Sequence, residues 1–100
     1  MKLVDAARRL EALGNGTRLE IFRLLVRAGG PGLSVGDVQD RTGVARSTLS
    51  HHLHRLIAVG LVAQERHGTT LICRADFQAM RETLAFLVKE CCVEAGREPS

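Results

Sequence analysis

A mainly α domain of the α+β class is what this sequence predicts, and three observations predict it. Apolar residues recur at helical spacing in five separate stretches. Glycine-rich breaks and capping residues fall between those stretches. Residues 61–74 read instead as two short strands around a turn.

The first helix runs from about Leu3 to Leu13, with Val4, Ala7, Leu10 and Leu13 as its apolar set. Gly14-Asn15-Gly16 breaks it, and Asn15 or Thr17 caps the next helix, which carries Leu19, Phe22, Leu25 and Val26. Gly29-Gly30-Pro31-Gly32 ends that helix. Ser34 caps a short third helix with Val35 and Val38 inside it, Asp37 in its first turn and Gly43 at its close. A fourth helix spans about Ala45 to Val59, with Leu49, Leu53, Leu56 and Ile57 in one stripe and Gly60 as its stop. Leu61–Arg66 and Leu71–Arg74 are the predicted strands, joined through His67-Gly68-Thr69. Asp76 caps a last helix bearing Phe77, Met80, Leu84, Leu87 and Val88. The predicted layout is one domain over residues 1–95 and a flexible tail over 96–100.

Composition narrows the function classes. With 100 residues and 45% hydrophobic content, the chain suffices for one packed core. No run of about 18 uncharged apolar residues exists, so no membrane helix is predicted. Asp5 and Glu11 interrupt the apolar pattern of the N-terminal stretch, which reads as a helix and not an export signal. The expected compartment is therefore the cytoplasm. Net charge is only +3, but residues 41–74 hold five arginines (Arg41, Arg46, Arg55, Arg66, Arg74) against one acid, Glu65. All four histidines fall in the same window. One basic segment in an otherwise balanced chain points to a polyanion or to a solvated face.

The unit from Ser34 to Val59 decides between those. Two helices joined by a short turn at Gly43, the second with a polar face, form a helix-turn-helix. Thr48, His51, His52 and Arg55 lie at i, i+3, i+4 and i+7, opposite Leu49, Leu53 and Leu56. Arg46, Ser47 and Ser50 crowd the first turns. These side chains suit phosphates and base edges, and a recognition helix presents its N-terminal residues to the major groove. Arg66 and His67 flank the hairpin tip, where a wing grips the neighbouring backbone or minor groove. Ala45 is a poor N-cap for such a helix. The expected partner is double-stranded operator DNA.

The stretch GVARSTLSHHLHRLIAVGLVAQERHGTTL, with LEALGNGTRLEIFRLL before it, resembles the signature of ArsR/SmtB repressors. The resemblance spans residues 3–93, and Ser47-Thr48-Leu49-Ser50-His51-His52-Leu53 is its most specific part. It implies a winged helix-turn-helix homodimer built from the first and last helices. It also implies repression of an operon, relieved when an inducer binds.

That family places metal sites where this chain mostly lacks ligands. Val35, Gly36 and Asp37 stand where one variant has a Cys-x-Cys pair, and the last helix has Asp76, Glu82 and Glu90 but no histidine. Glu90-Cys91-Cys92 resembles a subgroup of arsenic-responsive repressors with a Cys-Cys pair at that place. The resemblance implies no required cofactor, and trivalent arsenic or antimony as inducer on Cys91 and Cys92. Adjacent helical cysteines point about 100° apart, so sharing one ion would unwind the helix end. Inorganic arsenic wants three thiolates; Cys73 is a distant third candidate, and a methylated arsenical or an external thiol would need only two. The cysteines alone also fit interface packing or a redox- or sulfide-sensing pair. A protein-interaction winged helix is the alternative of another class. No Ser-His-Asp set, phosphate-binding glycine loop or HExxH motif supports an enzyme.

Overall fold

The computed structural model describes residues 1–96. Of the predicted tail, residues 97–100 lie outside the described residues. Helices α1 (Leu3–Leu13), α2 (Gly16–Ala28), α3 (Val35–Thr42), α4 (Arg46–Ala58) and α5 (Phe77–Val88) surround one small sheet. Its strands are β1 (Leu33–Ser34), β2 (Val62–His67) and β3 (Thr70–Ala75), in the order β1-β3-β2, both pairs antiparallel.

Local chemistry sets most of the boundaries. Asn15, Ser34 and Asp76 each accept a backbone N–H in the first turn of the following helix, at 3.0, 3.0 and 2.9 Å. Gly43 ends α3 in the left-handed conformation, φ 71°, and returns its N–H to Gln39. Thr42 Oγ1 then accepts the Val44 N–H, which fixes the turn into α4.

The core lies between α2, α3, α4 and the sheet. Ile21, Leu25, Val38, Leu49, Leu53, Leu56, Leu61 and Cys73 are its fully buried large side chains. Each buried leucine or isoleucine contributes about 1.5–3 kcal/mol relative to an exposed one. All three interior residues of α4 belong to this set, so one edge of α4 is anchored along its whole length.

Three features differ from the expectation drawn from sequence. Strand β1 was not foreseen, because two residues carry no periodicity; it forms where Leu33 and Ser34 meet Cys73 and Ile72. The hairpin is longer than predicted, with His67 paired to Thr70 around a two-residue Gly68-Thr69 turn. The apolar stripe of α1 faces outward, in keeping with an expected dimer through the first and last helices: Leu3, Val4 and Leu10 are exposed, while Ala6 and Ala12 meet the core. On α5 likewise, Ala79 and Thr83 are buried, and Leu84, Leu87 and Val88 are exposed. Finally, α5 stops at Val88, so the cysteine pair lies beyond it. Residues 89–96 continue in short turns, with Cys91 N–H to Val88 O and Val93 N–H to Glu90 O. Among the described residues no helix is long and apolar enough to cross a membrane.

Gly32 is where the α2–α3 connection presses on the sheet. It sits at φ 70°, and a Cβ there would run into the Cys73 carbonyl oxygen and the Arg74 side chain. Gly32→Ala should therefore destabilise the fold by about 2–4 kcal/mol, the sum of a disfavoured backbone and an overpacked contact. In thermal unfolding this should appear as a midpoint lowered by about 10 °C or more. A midpoint within two or so degrees of the parent would show that β1 is not held this tightly.

Candidate nucleic-acid interface

Because Leu49, Leu53 and Leu56 fix one edge of α4, the opposite edge is presented outward. Arg46, Ser47, Thr48, Ser50 and His51 are all exposed there. No side chain caps the helix at Ala45, although its carbonyl accepts the Leu49 N–H. The first N–H groups of α4 thus keep no side-chain partner, and they lie at the same end of the helix as Arg46, Ser47 and Thr48. A capping Ser or Asp would occupy donors that an anion can use, which is a physical account of the alanine.

The C-terminal half of the predicted face is different. His52 is half-buried, and its Nδ1 lies 3.4 Å from Nη1 of Arg18 on α2. Arg55 donates to Glu11 of α1 at 3.2 Å. His54, on the same helix, is exposed. The predicted set Thr48, His51, His52 and Arg55 is therefore split into an open N-terminal half and a half tied to α1 and α2.

On the hairpin, Glu65 is the organising acid. Its carboxylate meets His67 Nε2 at 2.9 Å and Arg74 Nη1 at 2.8 Å. Arg74 also donates to the Gly30 carbonyl at 2.9 Å, which ties β3 to the α2–α3 connection. Arg66 is exposed and, among the described residues, has no ion-pair partner. Two arginines, Arg66 and Arg74, against the single Glu65 give the hairpin a local positive end.

The three cysteines fall in two places. Cys91 and Cys92 are free, with Sγ atoms 3.4 Å apart, and Cys92 adopts φ 59°. The turn therefore aims two adjacent thiols together without unwinding a helix, contrary to the expectation. The hydrogen bond shared with Cys91 holds the Cys92 thiol above the ordinary cysteine range, and partial burial adds to it. Cys73 is fully buried in the central strand, where the Gln64 amide donates to it at 3.4 Å and burial pushes its thiol up. It is not brought to the pair. Among the described residues no group of three His, Cys, Asp or Glu side chains is arranged to hold a metal ion.

A model of a helix-turn-helix domain matches residues 13–65, over half of the chain. An arsenical resistance operon repressor, ArsR2, of Halobacterium salinarum is 38% identical over 60 residues, 60% of this chain and 50% of that protein. The chain thus spans half the length of that relative. The HTH-type transcriptional regulator YgaV of Escherichia coli K12 is 31% identical over 88 residues, 88% of this chain and 87% of that one. Among solved structures, the homodimeric winged helix-turn-helix DNA-binding domain from Mycobacterium bovis superposes with a TM-score of 0.71 at 31% identity, over 88% of this chain and 82% of that one. The chain belongs to the ArsR family of winged helix-turn-helix transcriptional regulators.

In this ArsR-family regulator two arginines matter that sequence reasoning passed over. Arg18 is buried, and its Nε donates to the Ala12 carbonyl at 2.6 Å while Nη1 meets His52. Arg9 lies on the inward side of α1 and donates to carbonyls on both sides of it. Their only trace in the sequence is an arginine within a stretch of helical apolar periodicity, and that pattern equally describes a solvated residue. The partners are distant in sequence, so periodicity cannot name them.

The Arg18–His52 contact makes a pH prediction. Burial lowers the His52 pKa below 6.5, and Arg18, His51 and Arg55 lower it further. Native His52 is thus neutral where the unfolded chain is already protonated. The unfolded state then binds more protons, so folding stability falls as pH drops below 6.5 and levels off above it. His52→Gln keeps an acceptor for Arg18 without titrating. Denaturant unfolding of this regulator and the variant across the histidine range should show the variant losing less stability toward acid. Parallel stability curves for the two would remove His52 as the cause.

Proposed function

We propose that this regulator is a cytoplasmic, homodimeric repressor of an arsenic-resistance type operon, released from operator DNA by a trivalent arsenical bound to Cys91 and Cys92. The observation that carries the DNA half is the open N-terminal edge of α4, with Arg46, Ser47, Thr48, Ser50 and His51 exposed opposite a fully buried leucine edge. Arg46 and the serine and threonine hydroxyls reach base edges and phosphates in the major groove, and Arg66 with His67 grips the flanking backbone. His52 and Arg55 serve the interface from its rim. The whole unit is one domain, residues 1–95, that both reads DNA and dimerises.

Dimerisation is supported by the exposed apolar residues of two helices. Leu3, Val4 and Leu10 of α1 and Leu84, Leu87 and Val88 of α5 are 39% to 74% exposed. A contiguous apolar surface of this kind is buried by a second copy in a two-fold dimer. The Mycobacterium bovis neighbour is homodimeric.

The arsenical half rests on the 3.4 Å thiol pair, and the similarity to a repressor of arsenical resistance supports it. Two As–S bonds form as two thiol protons leave with two arsenic-bound hydroxyls as water. Soft trivalent arsenic prefers sulfur, and the third position on arsenic is filled from outside by a carbon substituent or a small thiol. No cofactor is required for DNA binding. Nothing in the arrangement calls for catalysis.

Two experiments test this. Arg46→Ala should cost about 1–3 kcal/mol of specific binding, whereas Arg66→Ala should weaken binding to all sequences and flatten its salt dependence. Gel-shift titrations in which both variants match the parent would refute the assigned surface. In the second, Cys91→Ser and Cys92→Ser should bind operator normally yet fail to release it on addition of methylarsonous acid. Binding of the arsenical should be faster at higher pH, since the thiolate is the attacking form and Cys92 ionises late, while equilibrium affinity should stay nearly flat below the thiol range because the thiol protons leave as water. Release that persists in the double variant would refute the site. Release by peroxide or persulfide, with arsenicals inert, would replace the inducer by a redox signal.

A further inference from the structure

The recognition helix meets the rest of the molecule along its buried leucine edge and at its C-terminal end. At that end its last carbonyls require partners, as in any helix. The Val59 carbonyl, at the C-cap of α4, accepts from Nε of Arg9 at 3.2 Å. The same guanidinium donates through Nη1 to the Ala79 carbonyl at 3.2 Å and to Thr83 Oγ1 at 3.3 Å, both on α5. Thr83 is itself buried and passes its own proton to Ala79 O at 2.8 Å. Glu82 Oε2 lies 3.6 Å from the same Nη1, and the Arg9 side chain is only 16% exposed.

Three helices thus meet at one planar fork. Among the described residues no side-chain hydrogen bond or ion pair joins α4 directly to α5. Arg9 bridges them from α1. The geometry uses what distinguishes arginine from lysine: donors at fixed angles on a rigid plane, aimed at acceptors on two different elements. A cation at the C-terminus of α4 also meets the negative end of its dipole. Beside the fork an open cleft of about 280 Å³ is lined by Asp5, Arg8, Ala58, Val59 and Glu82. Leu56 fixes which side of the α4 end is buried, and the directional bonds of Arg9 orient that end against α1 and α5.

We propose that Arg9 is a positioning residue for DNA recognition, fixing the angle of α4 against α1 and α5 and so setting sequence selectivity without touching DNA. Reading base edges requires the donors of α4 to be held to within a fraction of an ångström, whereas phosphate attraction tolerates a tilted helix. Loss of the fork should therefore lower binding to the preferred sequence and leave binding to other sequences unchanged. A merely structural role would lower stability and both affinities together.

This rests on the DNA-binding reading above, and the experiment separates the two. A preferred duplex is first selected from a random pool by the parent protein; a parent that selects none refutes the DNA reading itself. Affinities for that duplex and for a scrambled one are then measured for Arg9→Lys and Thr83→Val, beside thermal unfolding and sedimentation mass. Arg9→Lys should keep dimer mass and scrambled-duplex affinity while losing about tenfold in the ratio of preferred to scrambled binding. Thr83→Val, which removes one α5 acceptor and leaves the charge, should lose about threefold. If Arg9→Lys fails to fold, the Thr83→Val ratio decides. A ratio within about 1.5-fold of the parent in a folded Thr83→Val, or within twofold in a folded Arg9→Lys, overturns the proposal.

Discussion

The leucine edge of α4 is the constraint on which the rest of the structure depends. Leu49, Leu53 and Leu56 are almost completely removed from solvent, and they recur at the helical period. A helix pinned along one edge has no choice about where the other edge points. Every donor on Arg46, Ser47, Thr48, Ser50 and His51 is therefore displayed, with no polar group of that half spent inside the protein. The turn before it serves the same end, since Gly43 in the left-handed region brings α3 round so that α4 starts free.

Apolar packing fixes which edge of α4 is buried, and toward its far end polar bonds join that packing. Arg18 ties His52 to the last turn of α1, Glu11 holds Arg55, and Arg9 holds the C-cap. The exposed Glu11–Arg55 pair contributes at most about 1 kcal/mol. The Arg18 bonds are of another kind: a buried guanidinium left without partners would be strongly destabilising, so its geometry is enforced. One half of the recognition helix is thus open to a ligand and the other is bolted to the helices that face outward with apolar stripes. Those outward stripes and the paired thiols at the end of α5 are connected to the reading edge through few, directional contacts.

How much of this could be read from the sequence follows from the range of each interaction. Asn15, Ser34, Gly43 and Asp76 act on backbone groups a few residues away, so the helix boundaries they set were legible. The buried edge of α4 was legible because it repeats. Strand β1 was not, since two residues that pair only with Cys73 and Ile72 leave no local pattern. The stripes of α1 and α5 were visible, but periodicity does not say whether an apolar stripe meets its own core or another molecule. The cysteine pair was visible as adjacent thiols but was placed in a helix, because α5 ends without a proline or glycine signal and Lys89 keeps helical angles. Arg9 and Arg18 were illegible for the plainest reason: their acceptors are carbonyls and rings from other helices.

Hydroxyl-radical footprinting on a duplex selected from random sequence tests the assignment of α4 and the hairpin most directly. Two half-sites protected about one helical turn apart, related by two-fold symmetry and each flanked by a wing contact, are the predicted pattern. Uniform protection without sequence preference, or a single unpaired site bound by one chain, would contradict it.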